Sequence, residues 1–220
     1  MLAVDLISPQ VPALSPEEKV ADSLSLLQKL KLKTLPLVDR DIYIGLLEER
    51  QLEAVESTDT LLSALDISEL KPAIGEASPL FDALKMMGEL RLDILPVVGA
   101  ANRYNGVITS ESLLTALSRF NSAHQAGSLV VLEVDITGFM LSEIVKIAEG
   151  EEVTILGMHS ITDVNNEKLT IVLKTNRENL SSFITSLQQA DYKIVYRFDH
   201  PEDATSLKQN YDHLMNYINM

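Results

Sequence analysis

The chain has no cysteine and no tryptophan, and only 5 % of its 220 residues are aromatic. The missing thiols exclude disulfides, thiolate catalysis and cysteine-ligated metal sites. Basic residues are also scarce: 18 Lys and Arg stand against 32 Asp and Glu, a formal net charge of −14. A surface of that sign repels polyanions, so DNA, RNA and anionic membranes make poor partners. A small anion remains acceptable, because a helix N-terminus and one or two lysines suffice to hold it. The rest of the acidity reads as a solubility device. No apolar run approaches the ~20 residues of a membrane helix. The N-terminus MLAVDLISPQ lacks the basic start and apolar stretch of a signal peptide. The expectation is a cytoplasmic protein with neither a nucleic-acid polymer nor a membrane as partner.

Catalytic signatures are missing too. There is no P-loop, no G-x-S-x-G and no G-x-G-x-x-G, and His124, His159, His200 and His213 are scattered rather than paired at metal-ligand spacing. No acid–base or nucleophile cluster emerges, so the chain reads as a non-enzyme with no cofactor and no metal.

What the chain does contain is a repeat. Over the first 120 residues one pattern occurs twice, about 60 positions apart. Pro12-Ala13 recurs as Pro72-Ala73, and Leu24, Leu30 and Leu32 recur as Leu84, Leu90 and Leu92. Leu35-Pro36-x-Val38 returns as Leu95-Pro96-x-Val98, and Tyr43-x-Gly45 as Tyr104-x-Gly106. A fixed period means one supersecondary unit used twice, and the cleft between two such units is the place to look for function.

Each copy reads as strand, helix, strand, strand, helix. In the first, Ser15-Pro16-Glu17-Glu18 carries N-cap, first-turn proline and capping-box signals. Val20, Leu24, Leu27 and Leu30 then share a helical face, Thr34 to Asp39 and Ile42 to Leu47 are strands, and a helix begins at Glu48. The second copy places a helix at Leu80 to Leu90, strands at Ile94 to Val98 and Tyr104 to Ile108, and a helix at Ser110 to Phe120. Between the copies, Leu61, Leu62 and Leu65 suggest a short helix. Asn121 to Gly127 is polar and small, a linker. Beyond it the order is β-α-β-β-α-β, a ferredoxin-like arrangement, with a hairpin turn at Asp163 to Asn166 and a last helix from about Pro201 to Tyr217.

The repeat resembles a pair of CBS domains, a Bateman module. The carrying residues are Leu35-Pro36-Leu37-Val38-Asp39 with Tyr43-Ile44-Gly45-Leu46-Leu47, and Leu95-Pro96-Val97-Val98 with Gly106-Val107-Ile108-Thr109. The C-terminal unit resembles an ACT domain through Asp135-Ile136-Thr137-Gly138-Phe139-Met140-Leu141-Ser142-Glu143-Ile144, with Thr137 where that family usually has proline. The order CBS–CBS–ACT is similar to the bacterial acetoin-utilization protein B group. The resulting fold class is α+β: CBS repeats over 1–60 and 61–122, an ACT-like domain over 128–198, and a terminal helix over 199–220. The resemblance implies a homodimeric regulatory sensor acting on an unknown protein target. It would take an adenosine-type nucleotide such as AMP or ATP in the CBS cleft, and an amino acid or other small effector at the ACT domain.

The CBS ribose signature, Gly-h-h-Thr-x-x-Asp with h apolar, tests that implication. The first copy reads Gly45-Leu46-Leu47-Glu48-Glu49-Arg50-Gln51, where two glutamates would repel a phosphate. The second reads Gly106-Val107-Ile108-Thr109-Ser110-Glu111-Ser112, keeping Thr109 but replacing aspartate with Ser112. This leaves one candidate nucleotide site: Ala73, Ile74, Leu95 and Pro96 around the base, and Thr109, Ser110 and Ser112 at ribose and phosphate. Lys31, Lys33 and Arg91 stand just before strands, within reach of a phosphate. Two readings stay open: Thr109 and Ser112 contact a ligand, or they are helix caps. In the ACT-like unit, Ile136, Thr137, Gly138, Phe139 and Met140 are candidate effector contacts or a plain strand-to-helix turn. For the whole chain the rival to a sensor is a structural module that dimerises through both domains without a nucleotide.

Overall fold

The computed structural model describes residues 1–66, 71–137, 139–163, 168–198 and 215. The expected terminal helix, the turn over 164–166 and Gly138 lie outside the described residues. The chain divides into two units, Met1–Leu117 and Ser118–Met220.

In the first unit the two copies share one plan. Helix α1 (Val20–Leu30) precedes the antiparallel strands β1 (Thr34–Asp39) and β2 (Ile42–Glu48), followed by the single turn α2 (Glu49–Glu53). In the second copy β3 (Ile74–Gly75) runs parallel to β4 (Ile94–Val98), which pairs antiparallel with β5 (Tyr104–Thr109). Helices α3 (Leu80–Leu90) and α4 (Ser110–Phe120) complete it. Leu37 faces Gly45 and Val97 faces Gly106, and in both copies the register shifts at the next residue. Arg40 and Asp41 both have positive φ (47° and 69°), so β1 turns into β2 through the mirror-image turn that suits strand twist.

Two expectations are corrected. The first strand of the first copy shrinks to one parallel bridge, Leu14 with Leu37. Helix α1 starts at Val20 rather than at the Ser15-Pro16 signal: Ser15 to Glu18 form a turn, with Glu18 N donating to Ser15 O at 3.0 Å. The free amides of α1 find another partner, since Val20 N and Ala21 N donate to the carbonyls of Thr60 and Thr58, both at 3.0 Å. The segment after the first copy therefore closes its helix, as a 3₁₀ turn at Leu62–Ala64 that buries Leu62. In the second copy the N-terminal residues do this work. Leu80 N donates to Met1 O at 3.2 Å and Ala3 N to Ser78 O at 2.8 Å, and Ala3 and Leu6 enter that copy's core.

The second unit has strands β6 (Leu129–Asp135), β7 (Ile155–Asp163), β8 (Lys168–Thr175) and β9 (Lys193–Phe198). They are ordered β7-β8-β6-β9, and every neighbouring pair is antiparallel. With α5 (Leu141–Gly150) and α6 (Ser181–Gln189) this is the ferredoxin-like topology. Ile144, Ala148, Phe183 and Leu187 of the helices pack against Val130, Leu132, Ile171 and Leu173 of the sheet. Gly127 enters β6 with φ +134°, and a Cβ there would lie 1.9 Å from the Thr175 carbonyl oxygen. Only glycine fits.

Candidate functional site

Helices α1 and α3 both end in a left-handed residue, Lys31 (φ 55°) and Arg91 (φ 53°). In each case the next amide reaches back five residues: Leu32 N to Leu27 O at 3.1 Å, and Leu92 N to Met87 O at 3.0 Å. This is the Schellman ending, where glycine is the usual occupant. A side chain there costs on the order of 1 kcal/mol. Both copies put a long cation in that place instead.

Those cations line a cavity of about 720 Å³ shared by the two copies, together with Lys33, Thr34, Glu48, Glu49, Arg50, Asp93 and Ser110. Lys33 and Asp93 are equivalent positions in the repeat. The Lys33 carbonyl accepts from Glu49 N at 2.8 Å, and the Asp93 carbonyl from Ser110 N at 3.1 Å and Ser110 Oγ at 3.2 Å. Their side chains differ in sign. The Asp93 carboxylate is held inward by Lys33 N (2.6 Å), Thr34 Oγ1 (2.5 Å) and Ile94 N (3.1 Å). Glu48 pairs with Arg50. Lys31, Lys33 and Arg91 make no ion pair among the described residues.

The ribose-signature positions are engaged at helix starts. Thr109 N donates to Ser112 Oγ and Ser112 N to Thr109 Oγ1, both at 3.0 Å, a reciprocal capping box. The first copy repeats it between Glu48 and Gln51, with Glu48 N donating to Gln51 Oε1 at 3.0 Å. Of the seven candidate nucleotide residues, Ser110 lines the cavity. Ile74 and Leu95 belong to the core of the second copy, Pro96 is buried in β4, and Ala73 packs on the cluster between the copies. Asp93 and its clasp on Thr34 are absent from the sequence reading. Their signal was the repeat itself, which aligns Asp93 with Lys33.

That cluster between the copies holds Tyr43, Leu46, Ile94 and Val107, with Val11, Ala73, Val98 and Tyr104 packed against it. Tyr43 Oη donates to the Pro72 carbonyl at 2.9 Å. Burial pushes the Tyr43 phenol far above its ordinary range, and the Tyr104 phenol up to about 12.

In the second unit a cavity of about 310 Å³ is lined by Thr137 and Phe139 of the candidate set, with Glu133, Asp135, Glu143, Lys168, Tyr192 and Lys193. Lys168 pairs with Asp135 at 2.6 Å and Lys193 with Glu133 at 2.8 Å. Tyr192 Oη donates to Glu143 Oε2 at 2.8 Å. Burial, then the Glu143 contact, raises the Tyr192 phenol to about 12. Ile136 and Met140 are exposed, at 45 % and 61 %. His159 is exposed on β7. Among the described residues no three or more acidic or histidine side chains gather as a metal site, and no helix is long and apolar enough to cross a membrane.

Residues 66–119, the second copy, match the family model of the CBS domain. Over 120 residues the chain is 27 % identical to an inosine-5'-monophosphate dehydrogenase of Halalkalibacterium halodurans, covering 54 % of this chain and 25 % of that protein. The chain spans about a quarter of the length of the curated relatives it matches. Among solved structures, a protein assigned to acetoin utilization from Vibrio cholerae aligns with TM-score 0.49 and 21 % identity, over 56 % of this chain and 95 % of that one. The structure of CBSX2 in complex with AMP aligns with TM-score 0.47 and 22 % identity, over 54 % of this chain and 96 % of that one.

Proposed function

We propose that this chain is a non-enzymatic regulatory sensor. Its paired CBS repeats (1–60 and 61–122) take an anionic adenosine-type nucleotide, AMP or ATP, in the cleft between them. The observation that carries this reading is one cavity whose four basic residues, Lys31, Lys33, Arg50 and Arg91, outnumber the three carboxylates of Glu48, Glu49 and Asp93, in a chain with net charge −14. The CBS match over residues 66–119 supports the adenosine class. The ligand would favour one relative arrangement of the repeats, which requires that it bind the two arrangements unequally. The ACT-like unit (128–198) would take an amino acid or other small effector beside Thr137 and Phe139, and the chain would act as a cytoplasmic homodimer.

A second reading has its own observation. The capping boxes at Thr109–Ser112 and Glu48–Gln51 give both ribose-signature positions a structural role, as a purely structural module would. Isothermal calorimetry with AMP, ADP, ATP, NAD and S-adenosylmethionine separates the two. The sensor reading expects binding by at least one of them, weakened about tenfold or more in Lys33→Ala and Arg91→Ala, as lost charge-assisted contacts dictate. Flat titrations with all five leave the structural module.

A further inference from the structure

The two copies of the repeat differ on the outer face of their first full helix. In α3, Phe81 and Leu84 are exposed, at 53 % and 37 %, and exposed Gly88 shares their stripe at helical spacing. The equivalent residues of α1 are Ala21 and Leu24, both half-buried, and Gln28. On the helix that follows, exposed Leu114 stands where the first copy has Glu53. Met1 and Leu2 are exposed at the start of α3, held there by Leu80 N donating to Met1 O and by the bridge of Leu2 with Pro79. Grouped apolar surface of this kind marks an interaction site. Gly88 points the same way. A Cβ built on it meets no atom within 4 Å among the described residues, so the chain's own packing does not call for glycine there. Glycine weakens a helix interior, and its use on an open face is to let another molecule come close.

We propose that this face is a two-fold contact with another molecule of the same chain, α3 lying antiparallel on α3. This rests on the homodimer reading above and adds the face and the arrangement: second copy meets second copy. Self-complementarity selects the occupant, since a two-fold contact must fit itself. Phe81 and Gly88 stand two turns apart, symmetrically about Leu84 and Lys85. An antiparallel pairing centred there sets each Phe81 ring over Gly88 of the other chain, a knob over a hollow twice. Asp82 and Lys85 lie one turn apart on one flank of α3, so the same pairing brings each Lys85 beside Asp82 of the other chain. Opposite charges then meet on both sides of the axis. Within its own helix Lys85 has a 4.0 Å contact with Glu89, and its side chain is largely exposed. Helix α1 cannot build this contact, because Ala21, Gln28 and Ser25 supply neither ring, hollow nor cation.

The test uses the full chain, which has no cysteine, so one introduced thiol reports one position. Lys85→Cys, oxidised with copper phenanthroline, is expected to give a disulfide-linked dimer, because the axis passes beside residue 85 and brings the two thiols together. Ser25→Cys, the equivalent position of α1, should stay unlinked and form no mixed disulfide with Lys85→Cys. In sedimentation equilibrium, Gly88→Gln, which gives α3 the residue of α1, should weaken the dimer about tenfold or more. Circular dichroism should show its fold intact, because the added side chain meets open space within its own chain. Phe81→Ala should weaken the dimer in the same way. Unchanged dimer affinity in Gly88→Gln, or no disulfide in Lys85→Cys, overturns this face and leaves the homodimer reading in place. A mixed disulfide between Ser25→Cys and Lys85→Cys also overturns it, because the first copy then meets the second. A wild-type chain that stays monomeric overturns both readings.

Discussion

The Thr34 hydroxyl donates to the Asp93 carboxylate at 2.5 Å, joining the first CBS-like copy to the second. The same carboxylate accepts from Lys33 N at 2.6 Å, so one side chain fastens the strand entry of the other copy at two points. Thr34 is buried and Asp93 half-buried. The clasp sits in the wall of the cavity that Lys31, Lys33 and Arg91 line.

Asp93→Ala should therefore destabilise the first unit by about 1–2 kcal/mol, the range for hydrogen bonds to a partly screened charged group. Urea denaturation of the full chain measures it. Thr34→Val, which removes one donor and keeps the shape, should cost less than Asp93→Ala.

Gly106 has φ +142°, and a Cβ there would lie 2.5 Å from Ile7 Cγ2. Gly106→Ala should cost about 1–3 kcal/mol through overpacking and backbone strain. It should also loosen the N-terminal segment, whose Ser8 N donates to Val107 O at 2.8 Å. Faster proteolytic cleavage within residues 1–10 would register that; unchanged cleavage would show that Ile7 moves aside.

Ser112→Asp should keep the α4 cap, because a carboxylate can accept from Thr109 N as Ser112 Oγ does. It also restores the acceptor that suits a ribose diol. The expected outcome in calorimetry is AMP affinity raised about tenfold, the scale of one charge-assisted hydrogen bond.

Glu151 accepts a hydrogen bond from Ser186 Oγ, which holds its carboxyl below the ordinary range, with Ser182 adding to the effect. A depressed folded pKa makes this contribution complete above the unfolded carboxyl pKa of about 4.3, and it is lost as pH falls through the lower folded value. Ser186→Ala should be less stable than wild type at pH 7, and the difference should shrink near pH 3. Denaturant titrations at the two pH values check it.

The Tyr104 phenol, raised to about 12 by burial, works in the opposite direction. Its contribution is complete below the unfolded phenol pKa of about 10 and is lost as pH rises toward the folded value. Absorbance at 295 nm and circular dichroism, followed together in alkali, should show late phenolate formation coinciding with loss of structure. Full ionisation near pH 10 with the fold intact would refute it.

Much of the architecture was legible because it is periodic. Leu24, Leu27 and Leu30 mark a helix face, Leu35-Pro36-x-Val38 a strand, and the second copy repeats both in α3 and β4. The cations Lys31, Lys33 and Arg91 were legible for the same reason, since they stand at fixed offsets before strands. The helix start at Ser15 was misread because its signal is local, while the amides of α1 are satisfied by Thr58 and Thr60, some 40 residues on. Asp93 was missed because a carboxylate before a strand has no local signature; its partners, Lys33 and Thr34, are a full period away.

The sequence by itself determined the doubled unit, the β-α-β-β-α-β order after the linker and the acidic surface, because hydrophobic period and turn chemistry act between near neighbours. Tertiary structure alone decided that residues 1–8 complete the second copy, and that Tyr43 finds an acceptor while Tyr104 finds none among the described residues. Those outcomes depend on which backbone carbonyl a folded chain brings within hydrogen-bonding distance of a donor, and no spacing along the sequence encodes that distance.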